Sequence, residues 1–417
     1  MGFRFLHTAD LHLDSPLKGL AAREGNATDA LLGASRKAFE NLIRLAIDEA
    51  VDFVVIAGDV YDRDWKGYET GLFFRKGMVR LQQAGIAVYL ISGNHDAASV
   101  ITRKLSLPDN VFRFSSQTAE THEPEQWPVA IHGMSFPNRA VEENLVLGYP
   151  DLVADKFNLG LLHTSLAGKE GHDTYAPCSV DDLINKGYGY WALGHIHQPE
   201  VVHEDPWIVY SGNIQGRHTR ECGARGCRIV TVGESLEVEA CTWHDLDVAR
   251  WAQVEVDVGG VENLKEITDR IRTAAGRAVE DAEERLLALR IILTGATPIH
   301  GSLCSRPDRL EAEVQSIADE FGEDAVWIEK VKLATKPVVT LEALAERDPL
   351  TKVVVEVAQE TAAVGELPAE VIEVLQLLPG DVRESLEQAW SGDGRAGIYD
   401  DACALILDRL MENGGEA

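Results

Sequence analysis

Polar side chains that could bind metals or move protons follow short apolar runs along the first 200 residues. Each apolar run is typical of a buried strand, and polar groups at the carboxyl ends of such strands gather at one edge of a sheet. Among them, Asn94 offers a neutral oxygen ligand, His95 can donate or accept a proton, and Asp96 could orient His95. The full set is Asp10, His12, Asp59, Asn94, His95, Asp96, His163, His195 and His197.

Apart from His95 and Asp96, the set holds four histidines, two aspartates and one asparagine. This mixture of nitrogen and oxygen ligands, without a thiolate, suits two divalent ions such as Mn²⁺ or Fe²⁺ better than structural zinc. One carboxylate must then bridge the ions, and Asp59, which follows a central strand, is the candidate. Two ions about 4 Å apart would activate a phosphoryl group. His95 would be left to stabilise it or to protonate the leaving oxygen.

The elements that must position these groups alternate between strands and helices. Residues 3–9, 53–57 and 87–92 predict strands, and residues 34–50 and 69–84 have the apolar spacing of helices. The first 245 residues therefore predict an α/β domain in which strands and helices alternate. Its further strands are predicted over 129–132, 158–162, 188–193, 208–210, 228–232 and 236–241.

Beyond residue 245 the pattern changes to a small α+β module without clusters of metal ligands, and beyond Pro337 to a helical tail. The tail carries 17 acidic and 5 basic residues over 341–417. Such charge is typical of a solvated helix face, but it could also dock a partner. We therefore predict three parts, which are residues 1–245, 246–337 and 338–417.

Composition limits the class of protein. A chain of 417 residues with 45% hydrophobic and 26% charged residues is typical of a soluble multidomain protein. The sequence begins without a signal-peptide pattern and has no apolar run of about 18 residues, so we expect a cytoplasmic protein without a membrane span. The formal charge of −29 argues against nonspecific coating of DNA.

A local basic patch is still compatible with that charge. Arg217 and Arg220 lie in the basic segment 217–228 and could steer a phosphate backbone. Asp62, three residues after Asp59, could contact the substrate or support a ligand, although a solvated loop acid is an equally good interpretation.

The motifs resemble those of the calcineurin-like metallophosphoesterases, which read D-x-H, G-D, G-N-H-D, a lone H and G-H-x-H in this order. The resemblance implies a four-layer αββα sandwich. It makes His95 the catalytic histidine, with Asp96 behind it. The ligands of one ion would be Asp10, His12, Asp59 and His197. Those of the other would be Asp59, Asn94, His163 and His195.

Within this family the chain is similar to the SbcD-type DNA repair exonucleases, and most of all to their YhaO-like subgroup. Residues 5–16, 163–166 and 210–218 carry this narrower similarity. It implies a capping domain after the phosphoesterase domain and a homodimer formed through the helices predicted over 34–50 and 69–84. It also implies an SMC-like ATPase partner of the SbcC or YhaN type, docked on the C-terminal region.

Three functions are compatible with these observations. The first is a two-metal DNA phosphodiesterase in double-strand break repair, a 3′-to-5′ exonuclease that could also act as a single-strand endonuclease. Mn²⁺ is its first candidate metal, with Fe²⁺ or Mg²⁺ as alternatives. The second is a small-molecule phosphoesterase, which the charge of −29 favours. The third is a mainly structural subunit that binds DNA ends for an ATPase. The alternative interpretation of the candidate site is a set of polar strand ends that never meet.

Overall fold

A computed structural model describes residues 2–15, 17, 26–62, 68–98, 106–166, 175–322 and 324–338, and scattered positions between 349 and 402. The chain folds into two compact units. The first contains Met1–Ala252 and Ala282–Ala288, and the second contains Gln253–Asp281 and Leu289–Ala417. The helices predicted for the acidic tail lie almost wholly outside the described residues.

The strands and helices are numbered here in chain order. The strands are β1 (Phe3–Thr8), β2 (Phe53–Ala57), β3 (Ala87–Ile91), β4 (Val111–Arg113), β5 (Glu120–His122), β6 (Val129–Gly133), β7 (Phe157–His163), β8 (Tyr190–Gly194), β9 (Glu200–Glu204), β10 (Trp207–Tyr210), β11 (Gly226–Val232), β12 (Val238–Asp245), β13 (Ala249–Asp257), β14 (Leu286–Ala296) and β15 (Val326–Lys336). The helices are α1 (Asn26–Leu32), α2 (Ala34–Asp48), α3 (Glu69–Gln83), α4 (Asn94–Ala98), α5 (Val180–Asn185), α6 (Leu264–Asp281), α7 (His300–Ser305) and α8 (Pro307–Glu320).

Two six-stranded sheets form the first unit. One has the order β12-β11-β1-β2-β3-β4, and the other has the order β5-β6-β7-β8-β10-β9. In each sheet four neighbouring strands are parallel, namely β1 to β4 in the first and β6, β7, β8 and β10 in the second. Because parallel strands end at the same edge, the residues that follow them are brought side by side.

Aromatic and branched side chains fill the space between the two sheets. Phe5 and Phe53 stack with their ring centroids 5.3 Å apart, and Tyr190 from the second sheet meets Phe5 edge to face at 5.3 Å. Full burial of one such ring stabilises the fold by roughly 1.5–3 kcal/mol. The central strands are apolar on both faces because the outer face of each sheet is covered as well.

Helices cover those outer faces. The buried face of α2, which includes Phe39, Leu42 and Ile43, packs with Val54 and Ile56 of the first sheet. On the second sheet, Leu183 of α5 packs with Trp191 and Leu193. The first unit is therefore a four-layer αββα sandwich, which confirms the predicted fold class.

The third sheet has the order β13-β14-β15. Helices α6 and α8 turn apolar side chains inward at helical spacing, among them Ile267 and Ile271 on α6 and Val314 and Ile317 on α8. This is the small α+β module that the sequence predicts. Of the helices within the described residues, none has the length and apolar character that crossing a bilayer requires.

Candidate metal centre

The carboxyl ends of five parallel strands, three from the first sheet and two from the second, converge on one site. Asp10 and His12 follow β1, Asp59 follows β2, and Asn94 begins α4 directly after β3. His163 is the last residue of β7, and His195 and His197 follow β8. We call these seven side chains the metal centre. The structure thus brings together all seven ligands that the sequence predicts.

Their donor atoms form two neighbouring groups. In the first, His12 Nε2 lies 3.1 Å from His197 Nε2, and Asp10 Oδ1 lies 4.0 Å from both nitrogens. In the second, His163 Nε2 lies 2.9 Å from Asn94 Oδ1 and 3.4 Å from an oxygen of Asp59. His195 lies beside the second group, with its ring centroid 5.3 Å from that of His163.

Asp59 lies between the two groups. Its Oδ2 atom is 3.4 Å from His163 Nε2 and 3.9 Å from His12 Nε2. Its Oδ1 atom accepts a hydrogen bond of 2.9 Å from the main-chain N–H of His95. The carboxylate is therefore fixed in a position from which it can reach both groups.

The backbone at the strand ends is held in an unusual conformation. Asp10, His12, Asp59 and His195 all have positive φ angles, of 51°, 41°, 52° and 95°. Non-glycine residues adopt this region at a cost of about 1–3 kcal/mol and persist there only when surrounding bonds impose it. Such bonds are present, since the N–H of Asp10 donates to Gly58 O and that of His12 donates to Asp59 O. Strain of this kind is concentrated at functional sites.

Two glycines of the motifs make room for the ligands. A Cβ atom on Gly93 would overlap Asp59 Oδ1 and lie 2.8 Å from His163 Cε1. A Cβ atom on Gly58, which has a φ of +97°, would lie 2.6 Å from His163 Nδ1. The glycines therefore belong to the motifs because the backbone must approach the ligand side chains closely.

The chemistry of the donor set fits divalent cations. Asp10 and Asp59 are both buried, and buried carboxylates need compensating positive charge. Burial raises the pKa of Asp10 even though neighbouring histidines oppose the rise. Burial would lower the pKa of His163, but the carboxylates of Asp59 and Asp10 raise it to about 9. Bound cations would take over the charge balance that the histidines must otherwise provide.

His95 lies next to the first group, and donor atoms of His95, His12 and Asp62 lie within 4.8 Å of one another. The Nδ1 atom of His95 lies 2.7 Å from Asp62 Oδ1, and the side chain of His95 is 21% exposed. Burial works to raise the pKa of Asp62, but the hydrogen bonds from His95 and Ser15 outweigh it and lower the pKa to about 2. Burial works to lower the pKa of His95, but Asp62 and Asp59 outweigh it and raise the pKa.

Asp62, and not Asp96, is thus the carboxylate that faces His95. The expectation that Asp96 lies behind His95 requires correction. Asp96 instead accepts hydrogen bonds from the main-chain N–H groups of Val60, Tyr61 and Gly93. Both residues lie on α4, and consecutive helical side chains point about 100° apart, so neighbours in sequence do not face each other. Asp96 ties the loops after β2 and β3 together.

Glu221, which the sequence reasoning missed, is a further acid at the site. It lies in the loop between β10 and β11, and its Oε1 atom is 2.7 Å from His197 Nδ1. Burial works to raise the pKa of Glu221, but His197 and Arg217 outweigh it and lower the pKa. The only signal in the sequence is a lone acid in the otherwise basic segment around it.

The two predicted substrate-binding arginines differ in position. Arg217 is half-buried, with Nη1 3.6 Å from Asp62 Oδ2 and Nη2 3.3 Å from Glu221 Oε1. Arg220 is exposed, and its main-chain N–H donates to His218 Nδ1. Only Arg217 therefore contacts the side chains that surround the metal centre.

Comparison with known proteins agrees with this geometry. Residues 3–199 match the model of the calcineurin-like phosphoesterases, and residues 251–336 match that of the middle domain of the metallophosphoesterase YhaO. The chain therefore belongs to the calcineurin-like metallophosphoesterases, a family of metal-dependent phosphoesterases.

Within the family it is similar to a protein of Bacillus subtilis (strain 168) described as the uncharacterized metallophosphoesterase YhaO. The two are 35% identical over 305 residues, which cover 70% of this chain and 72% of that protein. The predicted family and its YhaO-like subgroup are confirmed.

Proposed function

We propose that the protein is a two-metal phosphodiesterase that cleaves DNA, as a 3′-to-5′ exonuclease with single-strand endonuclease activity. Its metals would be Mn²⁺ first, or Fe²⁺ or Mg²⁺. The observation that carries the proposal is the position of Asp59 between two groups of donor atoms, with the partly exposed side chain of His95 beside them.

The ligands divide between two ions in this proposal. Asp10, His12 and His197 would hold one, Asn94, His163 and His195 would hold the other, and Asp59 would bridge them. When bound, the ions would polarise the phosphoryl group, lower the pKa of a water molecule and neutralise charge on the attacking and leaving oxygens. The neutral Asn94 limits the negative charge that an anionic substrate must approach.

His95 would meet the substrate through Nε2. The ionised carboxylate of Asp62 lies 2.7 Å from Nδ1 of His95, so its charge favours a proton on that nitrogen. In the imidazolium form of His95, Nε2 carries a second proton, which it can donate to a phosphoryl oxygen or to the leaving oxygen. Asp62 acts through His95 and is a positioning residue.

The basic loop between β10 and β11 supports a nucleic-acid substrate. Exposed Arg220 and half-exposed His218 lie within four residues of Glu221, which touches the metal centre. Cations in such a place could contact phosphates that flank the scissile bond, and they would make binding salt-dependent.

The proposal extends to the setting of the reaction. We place the enzyme in double-strand break repair with an SMC-like ATPase of the SbcC or YhaN type, and as a homodimer through α2 and α3. Leu72 on α3 is 55% exposed in the single chain, and a dimer formed through this helix would cover it. Sizing by light scattering at micromolar concentration tests this part, since a monomer would exclude the dimer.

A small-molecule phosphoesterase is the second candidate. The formal charge of −29 favours it, because a strongly acidic protein repels a polyanion more than a small substrate. In that case the same metal centre would act on cyclic nucleotides or phosphomonoesters.

The test uses end-labelled single- and double-stranded DNA with Mn²⁺, Mg²⁺ or EDTA. Wild-type protein should cleave DNA with Mn²⁺ and not with EDTA. His95→Asn should lower cleavage by about 10²- to 10⁴-fold, the range of general acid–base catalysis. The control is His203→Asn, whose Nδ1 faces Pro206 O in the β9–β10 connection and which should cleave normally. Hydrolysis of bis-p-nitrophenyl phosphate without DNA cleavage would favour the second candidate.

A further inference from the structure

We propose that Glu221 is the positioning residue of His197 and holds its Nε2 atom toward the first metal ion. The inference rests on the proposed two-metal site, because it takes His197 as a ligand. It assigns a purpose to the loop between β10 and β11, which carries none of the five sequence motifs.

The contact between the two side chains is short and largely shielded from solvent on the side of Glu221. Glu221 Oε1 lies 2.7 Å from His197 Nδ1, and the side chain of Glu221 is only 6% exposed. Since a carboxylate accepts and cannot donate, His197 must carry its proton on Nδ1. This leaves the lone pair of Nε2 directed at the group that contains Asp10 Oδ1 and His12 Nε2.

The loop fixes the carboxylate before any metal binds. Glu221 Oε2 accepts hydrogen bonds of 2.8 Å from the main-chain N–H of Arg217 and of 2.9 Å from Asn213 Nδ2. His218 Nε2 also lies 3.4 Å from Oε1. Oε2 therefore accepts from the loop, whereas Oε1 faces His197 and also contacts His218 of the loop.

Arg217 is the competitor for the same imidazole nitrogen. Its Nη2 atom lies 3.1 Å from His197 Nδ1 and 3.3 Å from Glu221 Oε1. Nδ1 cannot accept from Arg217 while it donates to Glu221. The carboxylate contact is the shorter one and joins a donor to an acceptor, so Glu221 determines the tautomer, while Arg217 neutralises its charge.

The substitution E221Q tests the hydrogen bonds of Glu221 while it nearly preserves the shape of the side chain. Glutamine has only one accepting oxygen. If that oxygen accepts from His197, the amide NH₂ group faces the N–H donors of the loop. If it accepts from the loop, the NH₂ group faces the N–H group of His197. Ligands that lose such an outer partner typically bind their metal 10- to 100-fold more weakly.

The experiment compares wild-type protein with E221Q and a matched control, E120Q. Glu120 Oε1 also accepts a main-chain hydrogen bond, 2.7 Å from Ser115 N, but lies on β5. Long-range ¹H–¹⁵N NMR of the metal-free proteins reads the tautomer of His197, whose signals are assigned with H197Q. Calorimetric titration with Mn²⁺ reads the affinity of each ion, and thermal unfolding reads stability.

E221Q should lose the Nδ1–H tautomer as the single form of His197 and bind one of two Mn²⁺ ions about 10- to 100-fold more weakly. E120Q should match wild type in both readouts. An E221Q protein that keeps the tautomer and both affinities, and is only less stable, would overturn the inference. If E221Q does not fold, E221D is measured in its place. Aspartate keeps the negative charge, but its shorter side chain places the carboxylate farther from His197. E221D should therefore show the same changes in tautomer and Mn²⁺ affinity to a smaller degree.

The two proposals fail in different ways. If wild-type protein binds fewer than two ions, the two-metal proposal is wrong, and the tautomer comparison in metal-free protein still decides the role of Glu221. If wild-type protein binds two ions and E221Q behaves like it, only the inference about Glu221 is wrong.

Discussion

The metal centre and the side chains that support it come from regions of different kinds. The metal centre lies at strand ends, where the register of parallel strands brings Asp10 beside Asp59 in the first sheet and His163 beside Gly194 in the second. The supporting groups Asp62, Arg217 and Glu221 lie in loops after β2 and β10. Strand ends thus supply the ligands, and loops supply the residues that orient them.

The sheets and the loops determine different parts of the geometry of the site. The sheets fix where the backbone of a ligand lies, but not which way its imidazole ring turns. Asp62 Oδ1 lies 2.7 Å from Nδ1 of His95, and Glu221 Oε1 lies 2.7 Å from Nδ1 of His197. A loop carboxylate thus faces one nitrogen of the proposed catalytic histidine and one nitrogen of a proposed metal ligand. Catalysis and metal binding should therefore respond differently to changes in the two regions.

The largest effect is expected at the strand end that joins the two groups. Asp59→Asn removes the negative charge between the two groups of donor atoms. Hydrolysis of bis-p-nitrophenyl phosphate with Mn²⁺ should therefore fall by at least about 10³-fold, the upper range for one electrostatic contact. The control lies at the start of the same strand, where Asp52 accepts from Arg4 N and Trp127 Nε1. Asp52→Asn should cost about 1 kcal/mol of stability and leave activity intact. Two ions bound with normal affinity by Asp59→Asn would contradict the bridging role.

The second effect tests whether the site requires the backbone at the strand ends to lie close to the ligand side chains. Gly93→Ala places a methyl group against Asp59 and His163, and it should reduce hydrolysis by about 10²-fold or more through displaced ligands. Gly148→Ala is the matched control, because a Cβ there has no atom within 4 Å. Its activity and its thermal stability should be those of wild type. Equal behaviour of the two variants in Mn²⁺ titrations would show that the ligands tolerate the displacement.

The third effect separates two acids near His95. Asp62→Asn should lower kcat by about 10- to 10²-fold, because His95 loses its charged partner while Mn²⁺ affinity stays nearly unchanged. Asp96→Asn should mainly lower stability, by about 1–3 kcal/mol, since one of three main-chain donors loses its acceptor. Chemical denaturation and steady-state kinetics on both variants provide the measurement. If Asp96→Asn lowered kcat and Asp62→Asn lowered only stability, Asp96 would be the residue that orients His95.

The smallest effects concern the two arginines of the basic loop. Arg217→Ala should lower hydrolysis of DNA and of bis-p-nitrophenyl phosphate alike, by about 10-fold, because it removes charge-assisted contacts inside the site. Arg220→Ala should weaken DNA cleavage only, with a loss that shrinks at high salt. Parallel assays at two salt concentrations distinguish them, and identical profiles would mean that both arginines have one role.

Much of this architecture could be predicted from the sequence. The apolar runs over 53–57 and 87–92 give β2 and β3 to within one residue, because fully buried parallel strands have a plain hydrophobic signature. The ligands follow from the same logic, since each comes directly after such a run. Short elements without a strong pattern were not predicted, among them β4, β5 and α5.

The supporting side chains could not be found in this way. No periodicity indicates how the loop between β10 and β11 folds, so Glu221 could not be paired with His197 at 24 residues' separation. For Asp96, adjacency to His95 suggested a contact that helical geometry forbids. Loop carboxylates thus need a three-dimensional structure, whereas strand-end ligands need only the pattern of the strands.

The most direct test of the two-metal account is anomalous diffraction at the manganese edge from crystals soaked in Mn²⁺. We predict two peaks about 4 Å apart. One should lie among Asp10, His12 and His197 and the other beside Asn94, His163 and His195, with Asp59 between them. A single peak, or peaks that do not flank Asp59, would contradict the account.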